Sequence, residues 1–503
     1  MSSVFDPPSA LQSQTSSHLA GLGDQLQELP PQQLAVEGEL PTWLTGGLVR
    51  VTPGQKDFGE RTVSHWFDGA AMLHRFGITN GAVTYSNRFL ETQFRRAAIA
   101  SGGGSIQGFA TDPCRTLFQR VQSVFRQPPL DNANVNLTTL GDEHLALTET
   151  PMAVRFDWET LATTGVDALP TTLGQVTTAH PQYDRERNEL INFTVDMGPR
   201  TRYRLYGRTG PDAEQLRTIA TMPTREPAYM HSFAVTARHF LLIENPLVVN
   251  PVRLITELTV KAGSFITQYR WKPELGLRIH AFDLASGQLE QSWTAEPCFL
   301  FHTINAYEQD GEIRLDACVF EDASIIDELA MERMAAGDSG FTLTPPMPTR
   351  FTLPLAGGPV QQRTLSDATD LELPRINYGR HNGRPYRYAY GNATSGAAFL
   401  KDIVKLDVES GEYRGWSEDD QWAGEPVFVA RPDATEEDDG VLLSVVLDGI
   451  SGTSYLLVLD AVDLSELARA HAPHMVPLGF HGQWVTAPAR TGPRGGPDDA
   501  LVS

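Results

Sequence analysis

The sequence predicts an all-β chain, and three observations carry that prediction. Short apolar runs alternate with polar turns, so the basic unit is a strand, a turn and a returning strand. No linker long enough to separate two domains interrupts residues 31–486. Only two segments show helical spacing. A string of hairpins suits a propeller, a barrel or a sandwich. At roughly 70 residues per blade the chain would make seven blades, although no strict sequence repeat marks them.

In chain order, residues 1–30 are polar and contain Pro and Gln, and read as a loose arm. Residues 31–486 read as one domain, and 487–503, rich in Pro and Gly, as a loose tail. Hairpins are expected to turn at Arg185–Asn188, Thr236–His239, Asp310–Gly311, Asn382–Gly383 and Glu436–Gly440. Asp-Gly and Asn-Gly favour tight turns because both residues tolerate positive φ. The first helical segment, DPCRTLFQRVQSVFRQPP, spaces Leu117, Phe118, Val121, Val124 and Phe125 on one face. The second, DASIIDELAMERMAAG, does the same with Ile325, Ile326, Leu329 and Ala330. A helix inserted between strands of a β scaffold is expected to cover one end of it.

The formal net charge of −22 argues against a nucleic-acid partner, which needs clustered Lys and Arg. Cys114, Cys298 and Cys318 are too few and too scattered for a disulfide framework, which fits a reducing, cytoplasmic setting. The N-terminus lacks a basic start followed by an apolar core, and no apolar run is long enough to span a bilayer. Nothing in the sequence speaks to oligomeric state.

Context, rather than number, sorts the 13 histidines. His180, His231 and His302 each lie early in the first strand of a strand–turn–strand unit, and His481 lies in the strand-like MVPLGFHGQWV. They are about 50, 70 and 180 residues apart, on the scale of whole blades. Innermost propeller strands line a central axis, so four such imidazoles would converge there without any local motif. The competing reading is a packed or surface histidine, and it is preferred for the other nine. His18 falls in the arm, His65 and His74 lack a hairpin context, and His471 and His474 sit in a loop-like segment. His144, His239, His280 and His381 adjoin turns, where exposure is expected.

A ligating imidazole needs its second nitrogen held, usually by a carboxylate or a carbonyl. Glu149 in LALTETPM, Glu372 in DLELPRINYG and Glu425 in AGEPVFVA lie in apolar company, where an unpaired carboxylate is costly. Each reads as a supporting carboxylate or as an exposed edge residue.

Several stretches taken together resemble the carotenoid cleavage oxygenase family. They include LPTWLTGGLVRVTPG, HWFDGAAMLHRF, TAHPQYD, YMHSF, FHTINAYEQDGEIRLD, LELPRINYGRHNGRPYRYAYG and FHGQW. The likeness runs from about Leu40 to about Trp484, and its wording is nearest the animal-type β-carotene oxygenase and retinoid isomerase branch. It implies a seven-bladed β-propeller with a helical and loop cap over one face, carrying one non-haem Fe(II) on its axis. His180, His231, His302 and His481 fall in the family's ligand motifs, and Glu149, Glu372 and Glu425 match its supporting glutamates. Dioxygen would be the co-substrate and a hydrophobic polyene the substrate, split at one C=C bond into two carbonyl products. No catalytic side chain is implied beyond the iron centre. Phe67, Val135 and Thr148 match substrate-binding positions, against a competing reading of ordinary core packing.

Stilbene-cleaving relatives carry a lysine where this chain has Thr148, which counts against a stilbenoid substrate. A retinoid isomerase, or a propeller that binds carotenoids without cleaving them, shares the same ligands and stays open. The segment 115–125, flanked by Arg115, Arg120 and Arg126, suits an interfacial membrane helix and equally a helix packed on the propeller. Cys114 matches a cysteine lipidated in the isomerase branch.

Overall fold

The computed structural model describes residues 17–111, 130–170, 172–185, 187–197, 200–210, 215–251, 254, 264–336 and 341–486. The segment 112–129, which holds Cys114 and the first expected helix, lies outside the described residues, as do 1–16 and the tail 487–503.

Seven antiparallel sheets surround an axis, each a blade whose strands run outward from the centre. Blade I contains Gly482–Val485, Gly46–Gln55, Ala70–Thr79, Ala82–Phe89 and Leu29–Gln33; blade II begins at Asn136–Leu140. Blade III begins with Val176–Thr177 and Gln182–Asp184, blade IV with Ala234–Val235, and blade V with Phe299–Gln309. Blade VI begins at Glu372–Arg375, and blade VII at Gln421–Ala423 and Val427–Ala430. First strands of neighbouring blades lie against one another and form the inner wall.

The ring is fastened twice. The last strand, Gly482–Val485, pairs with Gly46–Gln55 in blade I, matching Gly47 with Val485 and Arg50 with Gly482. Near the other end of the chain, Ala35–Gly38 adds an outer strand to Glu466–His471 of blade VII. Closure removes the exposed strand edges that an open array would offer to other chains.

The turn chemistry works as expected at Asp310–Gly311, where φ is 55° and 80°. Asn80–Gly81, with φ of 51° and 75°, makes an equivalent hairpin between Ala70–Thr79 and Ala82–Phe89. His74 therefore does have a hairpin context, contrary to the expectation. It is fully buried, with Nε2 2.9 Å from Thr52 Oγ1 and Nδ1 2.7 Å from Tyr85 Oη.

Two other histidines depart from expectation for a similar reason: their partners are remote in sequence. His239, expected to be exposed, is buried between Glu308 Oε1 at 2.8 Å and Glu290 Oε2 at 2.9 Å. It links blade IV to blade V. His18, expected in the arm, is buried in the 3-10 helix Ser17–Leu22, stacked 6.0 Å from Phe399 and 5.0 Å from Trp422. Part of the expected arm, from Ser17 on, is therefore packed on the propeller.

The expected helix at Ser324 is observed as two short pieces, Ser324–Glu328 and Met331–Met334. Ala330 between them is extended because it bridges to His65, and Met331 N donates to Ser64 O at 3.0 Å. Tertiary pairing overrides helical propensity there. A further helix, Gln93–Ala100, is capped by Thr92 and by Asp131, whose carboxylate accepts from Gln93 N and Phe94 N. Phe94, Ile325 and Leu329 from these helices cover one face of the propeller over its main cavity.

Burial, then neighbouring His474 and Arg50, hold the His74 pKa well below that of a free imidazole. The sign follows: below about pH 6.5 the unfolded chain takes up a proton that native His74 refuses, so stability falls with pH. His74→Gln is expected to remove one proton's slope, about 1.4 kcal/mol per pH unit below 6.5. Urea midpoints at pH 7 and pH 5 check this, and equal acid sensitivity in both proteins would contradict it.

Candidate metal centre

Each blade sends one residue towards the axis. In order from blade I these are His481, Glu149, His180, His231, His302, Glu372 and Glu425. All seven were singled out in the sequence, but only partly for the right local reason. His302 lies within the strand Phe299–Gln309, whereas His180, His231 and His481 occupy irregular backbone beside short first strands. Met230, next to His231, packs into the blade core with Phe233 and Val235.

Irregularity is what aims these side chains. The pairing of Phe299–Gln309 shifts register between Leu300 and Thr303, on either side of His302. Bulges of this kind redirect a side chain from the regular pleat. Beside Glu372, Leu373 takes a left-handed φ of 49° while its N–H donates to Glu372 Oε2 at 2.8 Å. Left-handed leucine costs roughly 1–2 kcal/mol.

The four imidazoles face one another. His180 Nε2 lies 3.0 Å from His231 Nε2, and His302 Nε2 lies 3.2 Å from His481 Nε2. Four ring nitrogens, one from each histidine, lie within 4.8 Å of one another. The other nitrogens identify the tautomers. His231 Nδ1 is 2.7 Å from Glu149 Oε1, His302 Nδ1 is 3.0 Å from Glu372, and His481 Nδ1 is 2.7 Å from Glu425 Oε1. A carboxylate only accepts, so these Nδ1 atoms carry the hydrogens and each Nε2 presents a lone pair.

Lone pairs aimed at each other across 3.2 Å repel, and a cation between them reverses the sign of that interaction. Bonds of about 2.1 Å at right angles put imidazole nitrogens about 3.0 Å apart, so the spacing fits a metal ion. Burial keeps the lone pairs available. Desolvation followed by the other imidazoles lowers the pKa of His180 and His302 well below normal, and His481 falls to about 4.

The supporting carboxylates are not equivalent. Glu149 also accepts from Tyr229 Oη at 2.9 Å. Glu372 has no arginine against it, and burial pushes its pKa up to about 7. Glu425 meets Arg375 in a bidentate pair, Nε to Oε1 at 2.9 Å and Nη2 to Oε2 at 3.1 Å. Despite burial, Arg375 and then His481 hold the Glu425 carboxyl well below the usual range. Arg375 also donates to Gly482 O, and buried Arg50 donates to the Glu425 and Phe480 carbonyls. A Cβ on Gly482 would meet Arg50 Cγ at 2.6 Å, so this position after His481 requires glycine.

Tyr229, Arg375 and Arg50 were not found in the sequence. The available signal was two arginines in otherwise apolar strands, where an unpaired cation is costly. Among the described residues no carboxylate meets His180 Nδ1, which lies 3.4 Å from Asn136 Nδ2.

A cavity of about 420 Å³ opens on this cluster. Phe67, Val135 and Thr148 all line it, together with His231, His302 and His481. Phe67 packs edge-on to Phe301 at 5.9 Å and Phe480 at 5.2 Å. Asp68 also lines it, but its carboxylate already accepts from Phe109 N, Ala110 N and Thr111 Oγ1.

Fold and site together define a seven-bladed propeller with an axial group of four histidines that could hold a metal ion, open to an apolar cavity. Residues 23–486 match the family described as retinal pigment epithelial membrane protein. The chain belongs to this carotenoid oxygenase family. It is 35% identical to the carotenoid isomerooxygenase of Galleria mellonella, covering 92% of this chain and 94% of that protein. It is 32% identical to the mitochondrial carotenoid-cleaving dioxygenase of Mustela putorius furo, with 90% and 93% covered. Among solved structures, cobalt-substituted Synechocystis ACO superposes with a TM-score of 0.81 at 28% identity, covering 94% of this chain and 98% of that one. An ACO/RPE65 chimera gives 0.80 at 28% identity, with the same shares covered.

Arg375→Met is expected to weaken Co(II) binding about 10–100-fold, the usual effect of losing an outer support. Because Arg375 acts through Glu425, the same change in a Glu425→Gln background should weaken binding little further. Isothermal titration of the four proteins checks this, and fully additive losses would contradict it.

Proposed function

We propose that this chain is a non-haem Fe(II) dioxygenase that cleaves one C=C bond of a carotenoid or apocarotenoid to two carbonyl products. The observation that carries the reading is the cluster of four imidazoles facing an aromatic cavity. His180, His231, His302 and His481 would hold one ferrous ion. Glu149, Glu372 and Glu425 would fix the imidazole tautomers. Imidazole nitrogens suit iron among several first-row metals, and the names of the relatives favour iron's oxygen chemistry for this chain. When bound, ferrous iron supplies the site for dioxygen activation.

The chain's own residues do the rest. The ligands are neutral and the carboxylates stand one residue further out, so positive charge at the centre is offset through the imidazoles. Phe67, Phe301 and Phe480 exclude water and give a polyene a face to lie on, while Val135 and Thr148 bound its position beside the histidines. No general acid or base is required: Asp68, the cavity's remaining carboxylate, is committed to holding the loop at Phe109–Thr111. Thr148 offers no ammonium group to a phenol, which disfavours a stilbenoid.

Among the described residues no helix is long and apolar enough to cross a membrane. Contact with a lipid surface through residues 115–125 is part of this proposal, since the substrate partitions into bilayers. Replacing Phe118, Val121 and Phe125 with serine is expected to abolish liposome flotation; unchanged flotation would refute that contact.

Iron-loaded protein incubated with β-carotene, apocarotenals and resveratrol should consume oxygen and release aldehydes from the first two classes only. Product mass and an oxygen electrode read this out. Absence of both signals with all three would refute the dioxygenase, and isomerised product without oxygen uptake would favour an isomerase. His231→Ala should lose the metal while keeping the native circular dichroism spectrum.

A further inference from the structure

The histidine cluster separates two unlike chambers. On one side lies the apolar cavity. On the other a smaller cavity of about 60 Å³ also touches His180, His302 and His481. Its wall is polar, supplied by Asn136, Thr138, Gln182, Tyr183, Asn382 and Gln483. A third, still smaller cavity shares Thr138, Tyr183, Asn382 and Gln483 with it and adds Arg185. Arg185 is exposed, so the outer of these adjoining cavities borders the surface. The inner one is electrically balanced, because the Arg375 guanidinium there is paired with Glu425.

We propose that this polar passage is the route by which the metal ion enters and leaves, distinct from the apolar cavity that admits substrate. The inference rests on the four histidines being a metal site. A hydrated divalent ion would have to shed its water among phenylalanines on the apolar side, at a prohibitive desolvation cost. On the polar side, amide and hydroxyl oxygens replace water one ligand at a time, as hard cations prefer. The passage is narrow, its inner cavity about 60 Å³ and its outer one about 10 Å³. It meets His180, whose Nδ1 faces the Asn136 amide at the cavity wall.

The test is the rate of Co(II) uptake by the metal-free full chain, followed by stopped-flow absorbance, with the final cobalt content measured separately. Arg185→Glu reverses the charge at the mouth and should speed uptake several-fold at low ionic strength, with the gain vanishing near 1 M salt, where screening acts over about 3 Å. Asn382→Trp narrows the passage and should slow uptake at least tenfold while the end point stays at one cobalt per chain. Both variants loading at the wild-type rate, with one cobalt bound, would overturn the route. Wild-type protein that binds no cobalt would instead refute the metal site, and the route with it.

Discussion

Three hydrogen bonds from imidazole Nδ1 to glutamate, 2.7 to 3.0 Å long, set the character of the axis. Each fixes a tautomer, and the fixed tautomers leave lone pairs pointed at one another from separate blades. Such an arrangement is repulsive by itself. It persists because ring closure, the buried Arg375–Glu425 pair and the bulged strand around His302 define the positions of the histidines independently. The scaffold therefore bears the cost of a preorganised site, and a metal ion converts that cost into binding free energy.

The blades divide the work with some economy. Four contribute an imidazole and three a carboxylate, so no blade supplies both members of a pair. Every His–Glu hydrogen bond is consequently also a contact between blades. Disturbing one carboxylate should be felt in the packing of two sheets as well as at the centre. The carboxylates themselves span a range of electrostatic settings, from Glu425 locked against an arginine to Glu372 pushed up to about 7. This gradient is built from burial and one guanidinium, and it makes the corners of the site chemically distinct.

Much of this was legible in the sequence. Strand hairpins such as the one turning at Asp310–Gly311 predicted the architecture, although Asn382–Gly383 follows the short helix Tyr378–His381 in a longer connection instead of making a tight turn. Histidines and glutamates in apolar contexts marked all seven axial residues. What was not legible depended on partners far along the chain. Arg375 is 50 residues from Glu425, and His239 is paired with Glu308 from another blade. The break at Ala330 arises from a bridge to His65, which local periodicity cannot register. His18 likewise looked like part of an arm because its aromatic neighbours, Phe399 and Trp422, come from the opposite end of the sequence.

In the proposed centre the metal would be held by imidazole nitrogen alone, with carboxylates kept one step away. X-ray absorption of the Fe(II)-loaded protein tests this most directly. Four nitrogen scatterers at about 2.1 Å, with the outer-shell pattern of four imidazoles, are expected. A short oxygen bond from a protein carboxylate, or a count of fewer than four imidazoles, would contradict that coordination.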